Sequence, residues 1–334
     1  MEGTRPTIAD VARAAGVSRT TVSHALNGVG KVDPRTRERV AQVAAELGYR
    51  PSLRAQRLRR GESRTIGLVS SMPVAVAGGP SRLGFFMEAA AAAAETALLH
   101  GFALVLVPPV EADPPLNTLD VDGVIVVEPG EADVTTNQLR ARGLPIVALG
   151  RHPGVDVPHV DLHAAAVGRL LLDHLREQGA ERIALMIGSG RRHSYVDVEQ
   201  TYRDFTAERG IRPLVVTADE SGGEDAGYKS CLEVLEQEPD VDAICAMVDA
   251  FAVGAVRALT DRGRRVPDDV LVATRYDGLR ARTCDPPLTA VDLHLGDAAA
   301  QAVELLIAGL RSDTEKTEAA VPAPVLVPRR SSLR

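Results

Sequence analysis

Arg19, Thr20, Ser23 and His24 carry the most directed chemistry in this sequence. Their spacing puts them on one face of a predicted helix that starts after Ser18 and stops at Asn27-Gly28. Guanidinium, hydroxyl and imidazole groups are the ones that bond base edges and phosphates in a DNA groove. A helix face that met only water would usually carry Glu/Lys pairs instead. Val22, Ala25 and Leu26 are expected to point inward, with Thr21 near the rim. The same face also suits an αα-hairpin packed on another surface, so these residues alone leave two readings open.

The elements around this helix can position it. Thr7 is placed to cap a first helix, with Asp10 where a capping box wants an acceptor. Ile8, Val11, Ala12 and Ala15 follow at helical spacing as a buried stripe, and Gly16 supplies a left-handed end. Ser18 caps the second helix. Asp33-Pro34 opens a third, whose expected inward face is Val40, Val43, Ala44 and Leu47, ended by Gly48. A helix, a tight turn and a second helix with polar N-terminal residues can enter the major groove. Beyond Tyr49-Arg50-Pro51, the Arg-rich stretch from Ser52 to Gly61 is too short to hold a helix alone in water. It reads either as a basic linker or as a helix that orders against a partner.

The charge distribution agrees with a polyanion-binding head. Residues 1–64 hold 13 Lys+Arg against 6 Asp+Glu, while the rest holds 25 against 39, so the overall charge of −7 hides a basic head on an acidic body. A length of 334 residues calls for more than one domain. Cys231, Cys245 and Cys284 have no CxxC or His spacing and are expected to be buried thiols, with no metal site. No opening signal peptide and no bilayer-length apolar run is seen, so no membrane is expected and a cytoplasmic, nucleoid-associated location is.

From residue 64 onward short apolar runs alternate with helical stretches. Strands are expected at 66–69, 103–107, 123–127, 145–149, 183–187, 213–217, 243–247 and 270–273, with helices at 83–100 and 164–178 among them. The alanine-rich run 89–94 reads as the middle of a closely packed helix. This alternation predicts parallel sheets covered on both faces. Two such Rossmann-like halves leave a cleft at the C-terminal ends of their strands. Ser70, Ser71, Ser194, Asp249 and Asp277 are expected at or just after strand ends, either lining that cleft or capping turns.

With these residues in view, the chain resembles the lac-repressor-type (LacI) family of transcription regulators. The matching residues are Thr7-Ile8, Asp10-Val11-Ala12, Ala15-Gly16-Val17-Ser18, Thr21-Val22-Ser23, Ala25-Leu26-Asn27, Thr36-Arg37-Glu38-Arg39-Val40 and Glu46-Leu47-Gly48-Tyr49 with Pro51. The resemblance implies a helix-turn-helix head (1–50), a hinge (51–63), and a core (64–334) of two lobes like those of periplasmic binding proteins. The N-lobe would take about 64–160 and 291–319, the C-lobe about 161–290 and 320–330. It implies a homodimer on a palindromic operator, a repressor's function, and a small-molecule effector, sugar-like or altered, in the cleft. Arg19 and Thr20 would read base edges, with His24 where many members carry Arg. Ile8, Ser18, Thr21, Ser23, Asn27, Lys31 and Thr36 match positions that anchor to phosphate or pack on the backbone. Ala55 and Leu58 match the minor-groove pair, Leu58 as the apolar wedge.

In the core, Asp277 stands at the first acidic position of the family's Gly-Phe-Asp-Asp motif, here Arg275-Tyr276-Asp277-Gly278, where sugar-responsive members accept ligand hydroxyls. Ser71, Ser194 and Asp249 complete the expected effector set. Two departures, with the absence of any Trp for stacking, point to an altered or vestigial site: Val198 stands at the usual arginine's place, and Val248-Asp249 replaces an Asn-Asp pair. Phe85, Phe86, Tyr195, Tyr228, Phe251 and Tyr276 remain as aromatic substitutes. No leucine heptad follows the core, so a tetramerising coil is not expected. An enzyme on a doubly wound fold is disfavoured, because no P-loop, GxGxxG, GxSxG or His/Glu metal spacing occurs and Gly188-Ser189-Gly190 is too short to cradle phosphate. A solute-binding protein is disfavoured by the basic head. No cofactor is expected.

Overall fold

The computed structural model describes residues 6–28, 30–49, 62–70, 72–77, 84–107, 116–131, 133–311 and 317–334. The chain divides into two units, residues 1–63 and 64–334.

In the first unit, α1 (Ile8–Ala15), α2 (Arg19–Asn27) and α3 (Pro34–Glu46) pack around Val11, Ala12, Ala15, Val22, Ala25, Val40 and Ala44. The Asp10 carboxylate accepts from the Thr7 N–H at 2.9 Å and its hydroxyl at 2.7 Å. Gly16 (φ 65°) turns α1 into α2, whose cap Ser18 accepts from the Thr21 N–H at 3.0 Å. Asp33 caps α3 by accepting from the Thr36 N–H at 3.1 Å. One expected core residue is misplaced: Leu47 is exposed, and Tyr49 packs on the cluster instead. The helix stops at Glu46, so the 3.6-residue period no longer governs Leu47, and Gly48 (φ 66°) turns the chain back toward α1 and α2.

The second unit holds two parallel sheets. The N-lobe sheet is built from β1 (Thr65–Ser70), β2 (Ala103–Val107), β3 (Gly123–Val127), β4 (Ile146–Leu149), β5 (His159–Val160) and β11 (Glu318–Ala319), in the order β11-β5-β4-β3-β1-β2. Ile66, Leu68, Ile125, Val127, Val147 and Leu149 face α5 (Phe85–Leu99) and α12 (Leu295–Leu310). Val69, Val124, Val126 and Ile146 face the other side, toward Leu139 of α6 (Val134–Ala141). Strands buried on both faces carry uninterrupted apolar runs, which is why they are legible as such. In α5 the alanine run is one-sided: Ala89, Ala90, Ala93 and Ala97 are buried while Ala91 and Ala94 are exposed.

The C-lobe sheet has the order β7-β6-β8-β9, from β6 (Ile183–Gly188), β7 (Val215–Ala218), β8 (Ala243–Ala246) and β9 (Leu271–Thr274). Its helices are α7 (Ala164–Glu177), α8 (His193–Ala207), α9 (Gly223–Gln237) and α10 (Asp249–Asp261). Two short helices, α4 (Val74–Ala77) and α11 (Leu279–Thr283), lie outside the sheets, and β10 (Ala290–Asp292) pairs antiparallel with β12 (Val325–Val327). Cys231 and Cys245 are buried, which pushes each thiol up to about 12; Cys284 is only half-buried.

A short repeat marks two crossings between lobes. Val160-Asp161-Leu162-His163 leads into α7, and Val291-Asp292-Leu293-His294 leads into α12. In each, the Asp side chain accepts the His N–H, at 2.8 and 2.9 Å, and the His is left-handed (φ 53° and 48°). The period is too long and the motif too short to stand out until the topology aligns the two copies.

His174 of α7 shares a 2.7 Å hydrogen bond with Ser332, which donates to Thr289 at 2.6 Å and so clasps the C-terminal segment. Burial lowers the His174 pKa. Folding therefore favours the neutral ring: its contribution is fully present above the unfolded value of about 6.5 and is lost as pH falls through the lower folded value. The melting temperature should drop between pH 7.5 and 5, and His174→Gln should flatten part of that slope. An identical pH profile in the variant would remove His174 as its cause.

Candidate functional site: a helix face and an inter-lobe charge cluster

Within the first unit, Arg19 and Thr20 are exposed at the N-terminal end of α2, and Ser18 beside them is exposed. Thr21 and His24 are half-buried. The His24 ring lies over Gly30, where a Cβ would fall 2.9 Å from Nδ1, so glycine (φ 76°) lets the imidazole settle there. Ile8 packs on the head core, Thr36 is half-buried beside its cap, and Lys31 is exposed.

Ser23 departs from expectation: it does not face outward but is buried, and Asn27 donates to its carbonyl at 2.7 Å and its hydroxyl at 3.2 Å. The outward face is thus Arg19, Thr20 and the accessible part of His24. Ala55 and Leu58 lie outside the described residues.

In the second unit, the strand C-termini of the two lobes bring charged side chains together. Glu128 follows β3, Arg192 follows β6, Glu220 follows β7, Asp249 follows β8 and Arg275 follows β9. Arg192 grips Glu220 with Nε–Oε1 at 3.1 Å and Nη2–Oε2 at 2.9 Å, and also donates to the Glu128 carbonyl. Tyr195 donates to Glu220 at 2.6 Å. Arg275 reaches Glu128 Oε1 at 2.7 Å, and Ser194 donates to Oε2 at 2.7 Å. All of these residues are buried. Burial alone would raise the Glu128 pKa; Arg275, Ser194 and Arg192 more than offset it and hold the carboxyl below its ordinary value. Burial and Glu220 together push the Tyr195 hydroxyl far up, keeping it a donor. Gly188 and Gly190 are needed here for room, since a Cβ at either would sit 2.7 or 2.5 Å from a Glu220 oxygen.

Of the predicted effector residues, Ser194, Asp249 and Asp277 lie near this cluster but are occupied. Ser194 is the second residue of α8, not a strand end, and its hydroxyl is spent on Glu128. Asp249 opens α10 and takes Arg280 at 3.3 Å; burial raises its pKa against that pull. Asp277 takes Arg329 at 2.6 Å and Arg282 at 3.2 Å, which outweigh its burial and hold its pKa low. Ser71 lies outside the described residues. Val198 is buried within α8, packed against Gly168, and offers no polar group. Of the aromatic substitutes, Phe85 and Tyr276 meet edge to face at 5.2 Å, and Phe251 is wholly buried. The sequence reading missed Glu128, Arg192, Glu220 and Arg280. The one available signal was Arg275, at the motif's glycine position.

Among the described residues, no group of His, Cys, Asp and Glu is arranged to hold a metal, and no helix is long and apolar enough to cross a membrane.

Residues 7–52 match the family described as bacterial regulatory proteins, lacI family, and residues 172–332 match the periplasmic binding protein-like domain. The HTH-type transcriptional regulator CelR of Thermobifida fusca is 33% identical over 86% of this chain and 87% of its own. The ribose operon repressor of Halalkalibacterium halodurans is 32% identical over 90% of this chain and 89% of its own. Among solved structures, a CelR–cellobiose complex superposes with a TM-score of 0.72 at 30% identity, covering 98% of this chain and all (100%) of that one. The lac repressor dimer bound to operator and the anti-inducer ONPF gives 0.77 at 26% identity, with 99% and 100% coverage.

Proposed function

The chain belongs to the LacI family of bacterial regulatory proteins, a DNA-binding transcriptional regulator and not an enzyme, and on that footing we propose how its parts divide the work. Residues 1–50 read DNA, 51–63 form the hinge, and 64–334 bind effector and dimerise. It acts in the cytoplasm as a repressor, binding a palindromic operator as a homodimer. The observation that carries this reading is the N-terminal end of α2, where Arg19 and Thr20 stand exposed on a basic head.

Arg19 bonds guanine O6 and N7 and Thr20 a neighbouring base edge. Ser18, Thr21, Lys31 and Thr36 anchor to phosphate, Ile8 packs on the sugar-phosphate backbone, and the buried Ser23–Asn27 pair fixes the helix that carries them. His24 contributes from the rim. Ala55 and Leu58 enter the minor groove, Leu58 as the wedge. The effector, sugar-like or of altered chemistry, lies in the cleft between the lobes near Ser71, Ser194, Asp249 and Asp277. To reach Asp277 it displaces Arg282 or Arg329.

Selection of bound sites from random DNA by the full chain tests the reading, with a palindrome as the expected product. On that site Arg19→Ala should cost about 1–3 kcal/mol and relax preference at one position per half-site. Failure to enrich any palindrome, or an unchanged preference in the variant, would overturn the assignment. Calorimetry against a sugar panel tests the effector.

A further inference from the structure

Glu128 belongs to the N-lobe and Arg275 to the C-lobe, 147 residues apart in sequence, yet they meet at 2.7 Å with side-chain exposures of 3% and 7%. Taking the cleft between the lobes as the effector site, we propose that this pair is a built-in latch, holding the lobes together before any effector arrives.

The surroundings are arranged for the pair. Gly150 (φ 89°) leaves space for the carboxylate, since a Cβ there would sit 2.8 Å from Glu128 Oε1. The Arg275 guanidinium lies 5.9 Å from the centroid of the Phe85 ring, which the N-lobe supplies. Ser194, from the C-lobe, holds the second carboxylate oxygen at 2.7 Å. Arg192, neutralised by Glu220, donates to the Glu128 carbonyl, so the N-lobe residue is gripped at both ends.

Further crossings lie alongside. Tyr276 donates to Glu88, and Arg280 donates to the Ala75 carbonyl at 2.7 Å. Gly130 and Arg192 pair as an isolated antiparallel bridge, and the Glu131 N–H donates to the Arg191 carbonyl at 3.3 Å. A glycine at 275 could make neither the Glu128 nor the Phe85 contact, because it has no side chain to cross the gap. Opening the lobes must break this charge-assisted hydrogen bond together with the Ser194 and Arg192 bonds to Glu128, all made by the chain's own groups, so closure needs no ligand contact.

Amide hydrogen exchange on the unliganded full chain reads the latch through the peptide spanning 127–131, while the peptide spanning 183–188 reports the C-lobe sheet. The wild type should protect the first peptide. Glu128→Gln, which keeps shape but removes charge, and Arg275→Gly should each lose at least about tenfold of that protection with 183–188 unchanged. Arg275→Lys, which keeps a cation at similar reach, should retain most of it. The latch is overturned if the wild type exchanges there as fast as an exposed loop, or if protection appears only on adding cellobiose. It is equally overturned if Glu128→Gln and Arg275→Gly keep their protection, or if Arg275→Lys loses as much as Arg275→Gly. Operator selection is a separate measurement, so failure of the latch leaves the DNA-binding assignment standing.

Discussion

Arg192→Ala should destabilise the core by about 3–5 kcal/mol, read as a lower denaturant midpoint at an unchanged m-value. The side chains of Arg192 and Glu220 are each 4% exposed, and the guanidinium is the carboxylate's charge partner. Removing it leaves Glu220 with the Tyr195 hydroxyl and no neutralising cation. Water cannot readily compensate, because Gly188, Gly190 and Tyr195 close around the carboxylate. The figure is the cost of removing one partner; replacing both by apolar residues should recover much of it. The neighbouring residue supplies the control. Arg191 pairs with Glu131 at 2.6 Å, but with exposures of 76% and 53%, so Arg191→Ala should stay within about 0.5 kcal/mol. Equal losses for the two variants would show that burial does not set the cost.

Gly254→Ala should be comparably damaging, at about 3 kcal/mol or more. Gly254 lies where α10 crosses α9, and a Cβ there would fall 2.0 Å from the Glu224 carbonyl oxygen and 2.6 Å from the Tyr228 nitrogen. At Gly227 the same closeness recurs, 2.4 Å from the Phe251 Cα. These neighbours are backbone, so no rotamer change relieves the clash and the helices must separate. Asp249 starts α10 and is tied to Arg280, so separation also disturbs the cleft side of the C-lobe. Gly309, near the end of α12, has nothing within 4 Å of a built Cβ. Gly309→Ala should therefore stabilise, by about 0.5–1 kcal/mol. Thermal melting of both variants gives opposite signs if close approach is the reason for Gly254; a wild-type melting temperature for Gly254→Ala would refute it.

The two units differ in how far their sequences reveal them. In the head, Thr7, Asp10, Gly16, Ser18 and Asp33 each act through contacts within four residues of the chain, and such contacts are visible in sequence. Leu47 differs because it lies one residue past the end of the helix, where the helical period no longer applies. Ser23 differs because a polar residue type does not fix which way a side chain faces, and here it is buried with Asn27. In the core, buried parallel strands announce themselves as apolar runs, and their ends locate the cleft.

What fills that cleft is a different matter. Asp249, Asp277 and Ser194 are legible as polar residues near strand ends, but their partners Arg280, Arg329 and Glu128 come from elsewhere in the chain. The family, the helix-turn-helix head, the Arg-rich stretch after Pro51 and the alternation that makes two lobes are all written in the chain itself. Those features rest on local spacing, capping chemistry and hydrophobic period. That Arg275 meets Glu128, that Arg192 grips Glu220, and that Ser194, Asp249 and Asp277 are already engaged emerges only from the folded arrangement. Apart from Arg282, five residues from Asp277, these partners lie 28 to 147 residues apart. They depend on which strands lie side by side, and on how closely two lobes approach, neither of which any local period records.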